Sequence, residues 1–252
     1  MKHVLSFVLL SFLLWTAVAQ SGVARSSAQS TPDVFNSTLK DYRIWTDPVL
    51  NISWTIPRGL YARAEQEEQW RKRVSQNAQA VNTFTAELQR RDADDRSRGI
   101  LFRGDNADPQ TLGLAENNQA SPSGRFKMPN IFTPPAASET FMILARPLAS
   151  QDRPINDLLQ EETAKMRAQD ASLTLELGAE PEMFGGIQFV HADWKRHDRA
   201  RNEEAYFRSY LASRNGYELI FTFRADSKKA LETISKSMQS ISPAPGEDAA
   251  AK

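Results

Sequence analysis

From Glu204 to Ala225 the chain reads as two long extended runs that meet at Asn215-Gly216. Both residues of an Asn-Gly pair accept the positive φ of a type I′ turn, so the pair specifies a two-residue β-hairpin. With that turn as register, Arg208 faces Phe223, Tyr210 faces Phe221 and Ala212 faces Leu219. One side of the ribbon then carries Tyr206, Tyr210, Leu219, Phe221 and Phe223. The other carries Phe207, Leu211 and Ile220 among Ser209, Thr222 and Arg224. Side chains alternate along a strand, so a ribbon apolar on both sides has to be covered on both sides. The expected architecture is α+β: an α/β/α sandwich around a mostly antiparallel sheet.

The start of the chain has the pattern of a secretory signal. Lys2 and His3 precede an apolar stretch, Val4–Thr16, and Ala17-Val18-Ala19 offers a small-x-small cleavage site after Ala19. That stretch is shorter than the roughly 20 residues that span a bilayer. The expected location is therefore secreted or periplasmic, with no stable membrane insertion once residues 1–19 are removed. The chain has no cysteine, which excludes disulfides, thiolate metal sites and a Cys nucleophile. Lys and Arg total 31 and Asp and Glu total 31, so there is no net field to draw nucleic acid or an anionic membrane.

Residues 20–40 are mostly small and polar and read as a flexible tether. Asn36 and Asn51 each begin a glycosylation sequon. Residues 41–242 read as a single domain, and residues 243–252 as a disordered tail. Asp41–Arg58 reads as two strands joined at Thr46-Asp47-Pro48. Ala62–Arg91 lacks Pro and Gly, and Trp70, Val74, Ala78, Val81, Phe84 and Leu88 recur at helical spacing. It reads as one long amphipathic helix lying over a sheet face, or as a partner-binding helix projecting from the domain. Gly99–Arg103 is a short strand, and residues 104–139 lose all periodicity. A loop of that length inside a domain is functional or unstructured. Phe126, Met128, Ile131 and Phe132 would pin its second half. Thr140–Leu148 is a central strand, Pro154–Gln169 a helix, Leu173–Leu177 an extended piece and Ile187–Lys195 a strand after Gly185-Gly186. Asp226 or Ser227 caps a last helix striped by Leu231, Ile234, Met238 and Ile241.

No set of residues announces a reaction. His191, Asp193 and His197 share one face of a strand, but a rise of about 3.3 Å per residue separates the two histidines by roughly 20 Å. Lys195–Arg201 reads as a solvated basic turn. There is no G-x-S-x-G elbow, no P-loop and no G-x-G-x-x-G. Asp92, Asp94 and Asp95 lack the Gly and terminal Glu of a calcium loop. The sequence therefore singles out no catalytic, cofactor-binding or metal-binding residue and calls for no cofactor.

Trp54-Thr55-Ile56-Pro57, Gly185-Gly186 before a long strand, and the Gly216-Tyr217 strand leading to a terminal helix set an order. In that order the chain resembles the PsbP/DcrB-like superfamily, related to the Mog-type Ran-binding proteins, over roughly Asp41–Ile241. The resemblance implies an α/β/α sandwich and a non-enzymatic role: a binding or assembly domain with a protein partner. The alternative expectation is a small-ligand carrier or enzyme with a pocket under residues 104–139.

Overall fold

A computed structural model describes residues 37–75, 78–109, 138–148, 154–169, 172–177, 181–198 and 203–245. The expected signal peptide, most of the tether, the middle of the 104–139 loop with its four apolar anchors, and the end of the tail lie outside the described residues.

The Asn-Gly hairpin is present with the register expected. Strand β10 (Glu203–Arg214) pairs with β11 (Tyr217–Ala225), and Arg208↔Phe223, Tyr210↔Phe221 and Ala212↔Leu219 are partners. Asn215 has φ +50° and Gly216 φ +81°. A β-branched residue at such a φ is strained by about 1–2 kcal/mol. Gly216→Val is therefore expected to lower the unfolding midpoint by roughly 2–8 °C. An unchanged midpoint on thermal unfolding would show that the turn can relax without cost.

The hairpin is central. The large sheet also contains β4 (Tyr61–Ala62), β5 (Ile100–Asp105), β6 (Thr140–Pro147), β7 (Thr174–Leu177) and β9 (Ile187–Asp198). Its order is β4-β5-β6-β11-β10-β9-β7, and β8 (Glu182–Phe184) also pairs with β9. Every pairing is antiparallel. A second sheet joins β1 (Thr38–Lys40), β2 (Ile44–Asp47) and β3 (Ile52–Thr55).

Both faces of the ribbon are buried against different layers, as its two apolar sides require. On one face Tyr210, Leu219, Phe221 and Phe223 pack with Trp45, Ile52 and Trp54 of the small sheet. Helix α4 (Lys228–Ser235) and the 3-10 turn Lys236–Ser240 complete that layer with Leu231, Ile234 and Met238. The Ser227 hydroxyl caps α4 by accepting from the Ala230 N–H at 3.2 Å. On the other face Leu211 and Ile220 meet Leu144, Val190, Trp194 and Leu159. Leu159 belongs to helix α3 (Ile155–Gln169). Helices thus lie on both sides of the sheet, and one side shares its layer with three strands.

Four expectations change. The single helix over 62–91 is two helices, α1 (Arg63–Val74) and α2 (Ala78–Ser97), with the break after Val74. They run antiparallel: the Trp70 and Phe84 rings meet at a tilt with centroids 4.3 Å apart, and Arg63 at the start of α1 reaches Asp95 near the end of α2. Among the described residues neither core cluster includes a residue of α1 or α2, and the pair lies beside β4 and β5 at one edge of the sheet. The last residues of the expected tether form β1, paired to β2 from Thr38↔Thr46 to Lys40↔Ile44. Part of the expected basic turn, Lys195–Asp198, is strand, because β9 continues and finds Glu203–Tyr206 of β10 as partners. The start of the expected tail is tied down, with the Ala244 N–H donating to Asn51 Oδ1 at 3.2 Å.

Candidate functional site

The residues that sequence inspection weighed as a metal set are placed apart. Strand β9 runs unbroken from Ile187 to Asp198, so His191 and His197 stay at different points along it. Asp193 is engaged by Arg208 across the β9–β10 pairing. Nε donates to Oδ1 and Nη2 to Oδ2, both at 2.6 Å. This two-toothed contact fixes the carboxylate. Its hydrogen bonds hold the Arg208 proton more firmly than usual. His191 Nδ1 lies 2.8 Å from Glu182 Oε1, and its ring rests against Tyr210 at 5.5 Å. Burial pushes the Tyr210 phenol up. Arg208 Nη1 also reaches Ser235 Oγ of α4 at 3.4 Å. The cluster ties β9, β10 and α4 together. Among the described residues no group of three His, Asp or Glu side chains gathers to hold a metal.

The second polar assembly was not foreseen. The open end of the helix pair sits beside β5 and borders an open cleft of about 300 Å³. Its wall includes Arg63, Glu67, Asp92, Asp95, Arg96 and Arg103. Arg63 Nε contacts Glu67 Oε1 at 2.8 Å, one helical turn away. Asp95 Oδ2 lies between Arg103 Nη2 at 2.9 Å and Arg63 Nη1 at 3.4 Å, so one carboxylate joins α1, α2 and β5. Asp95 Oδ1 and Arg103 Nε are buried without a hydrogen-bond partner. Leu101 and Phe102 add an apolar strip to the wall. The ion pairs join residues distant in sequence, so nothing in the local pattern announces them.

Burial raises Asp95 from 3.8 to about 6, in spite of the Arg63 charge. It also raises Glu67, against the pull of the same arginine. For Asp95 the folded value lies above the unfolded one. Its contribution to stability is therefore fully present below about pH 4 and is lost as pH rises through about 6. Asp95→Asn removes the titrating group. The expected result is a smaller fall of the unfolding midpoint from about pH 4 to about pH 7 in the variant than in the parent. Parallel pH profiles of the two chains would exclude Asp95 as the source.

A neighbouring contact fixes where β5 ends. Gln66, buried in α1, donates from Nε2 to Asp105 Oδ1 at 2.7 Å and to the Ala107 carbonyl at 3.0 Å. Asp105 Oδ1 also accepts from the Ala107 N–H at 2.8 Å. Burial raises the Asp105 carboxyl. The chain beyond Asp105 is thus held to α1 where the long loop begins. Most of that loop, 110–137, lies outside the described residues.

Comparison with known proteins gives structural likeness only. No family model matches the chain, and no curated protein matches it. Cyanobacterial PsbP (CyanoP) of Synechocystis is similar over 88% of this chain and 98% of that one, at 10% identity and a TM-score of 0.41. A Pseudomonas aeruginosa protein of unknown function is 21% identical over 45% of this chain and 78% of that one, with a TM-score of 0.33. LpqN, involved in cell envelope biogenesis of Mycobacterium tuberculosis, is 10% identical over 45% of this chain and 68% of that one, with a TM-score of 0.29. At these TM-scores no role is transferred from any of them. No helix among the described residues is long and apolar enough to cross a membrane.

Proposed function

We propose that this chain is a secreted or periplasmic, non-catalytic binding or assembly domain that acts on a protein partner. The observation that carries the reading is how the buried charge is used. Asp193 gives both oxygens to Arg208, Asp95 bridges Arg63 and Arg103, and Asp47 accepts from the Leu50 N–H and the Ser37 hydroxyl. In each case the carboxylate joins separate parts of the chain. Such groups act as struts rather than as acids or bases aimed at a substrate. The leader-like residues 1–19 support the location.

The helix pair is the part placed to meet a partner. Its Trp70 and Phe84 rings pack on each other outside the two main clusters of the described residues, and it carries exposed Arg71 and Lys72 toward the far end of α1. The test is affinity capture from an envelope extract, followed by titration of the purified captured protein against the chain. The expected result is the same protein in every repeat, with binding weakened by the double substitution Arg71→Glu, Lys72→Glu. Capture of nothing specific would count against a protein partner. Unchanged binding by the double variant would remove the helix pair as the contact.

A further inference from the structure

The cavity between α1, α2 and β5 has an even charge balance in its wall: Arg63, Arg96 and Arg103 against Glu67, Asp92 and Asp95. A simple anion or a simple cation gains little from such a wall, because each attraction is matched by a repulsion. A ligand bearing both charges can use both sets. Two of the six are left for it. Arg63, Glu67, Asp95 and Arg103 pair with each other, whereas Asp92 and Arg96, one helical turn apart on α2, are exposed. An unpartnered acceptor, Asp95 Oδ1, and an unpartnered donor, Arg103 Nε, belong to the same wall. Leu101 and Phe102 give one side of it an apolar surface. A volume of about 300 Å³ is at the lower end of small-molecule sites.

We propose that this cavity binds a free amino acid with an apolar side chain. Arg96 meets its carboxylate, Asp92 meets its ammonium group, and its side chain lies on Leu101 and Phe102. The site is separate from the outward face of the helix pair, so it stands or falls independently of the protein partner. Isothermal titration of the full chain with L-leucine and L-phenylalanine tests it, beside N-acetyl-L-leucine, which lacks the positive charge, and L-leucinamide, which lacks the negative one. The expected result is saturable binding of a free amino acid, weakened about tenfold or more by either blocking group, as the loss of one charge-assisted hydrogen bond predicts. Asp92→Asn and Arg96→Gln, both at exposed positions, should each weaken binding to a similar degree with no change in unfolding midpoint. Absence of saturable binding would overturn the proposal. Equal binding of either blocked analogue, or full binding by both variants, would overturn it as well.

Discussion

Trp54→Ala is expected to lower the unfolding midpoint by roughly 6–20 °C, the equivalent of about 3–5 kcal/mol for an aromatic truncated in a core of this size. Trp54 is fully buried in β3 and meets Phe141, Phe221 and Phe223, with ring centroids at 5.2, 5.7 and 6.2 Å. Those three rings come from β6 and β11 of the large sheet. Trp54 therefore joins the small sheet to the large one, beside Trp45, whose ring meets Phe102 and Phe221. Its removal leaves a cavity lined by rings that belong to rigid, paired strands and cannot collapse inward. Thermal unfolding of the purified chain decides the matter. A loss of less than about 1 kcal/mol would mean that the two sheets are held by something other than this contact.

Gly104→Ala is the second large effect, expected at about 1–3 kcal/mol, or roughly 2–12 °C. Here the reason is space. A Cβ at this position would run into the Tyr61 carbonyl oxygen and stand 2.5 Å from Phe141 Cε1. Gly104 pairs with Ala62 of β4 and Phe141 of β6, so neither side can yield without loosening the sheet. Strand β4 is only two residues long and leads directly into α1. The easier response is for β4 to lift away, taking the base of the helix pair with it. Hydrogen exchange at the β4 amides should rise in the variant before the central strands are affected. Equal protection throughout would place the strain in the Phe141 ring instead.

The hairpin was legible because its information is local. Asn215-Gly216 sets the turn, and the two-residue alternation sets the faces. The cover on both sides followed from that alternation alone. The division of the helix at Ser75 was not legible, because Val74-Ser75-Gln76-Asn77 contains neither Pro nor Gly and the apolar spacing continues across it. What turns the chain there is the pairing of Trp70 with Phe84 and of Arg63 with Asp95, contacts made only once the helices fold back. Strand β1 escaped notice because Thr38-Leu39-Lys40 has little apolar content of its own and is specified by β2. Lys195–Asp198 reads as a turn because its run of charge resembles that of a loop. In the strand, Lys195 pairs with Glu204 and the Arg196 guanidinium lies over the Phe207 ring at 5.6 Å. The charged cleft is hidden for a related reason: Asp95 meets Arg63 and Arg103 only once α1, α2 and β5 are assembled.

Strand β3 has a partner at the other end of the chain. Ser53 and Ser242 exchange two backbone hydrogen bonds, and the Thr55 N–H donates to Ser240 Oγ, 185 positions away. Trp45, Ile52 and Trp54, among the first core residues to leave the ribosome, bury themselves against β11 and α4, among the last. This N-terminal part of the main core must therefore wait for the whole chain, and the loop closed by that contact is nearly as long as the domain. Contacts of such separation make for slow folding. Until the C-terminal helix is made, the aromatic strands at the start of the domain have no surface to close on, so the last segment synthesised acts as the latch of the first.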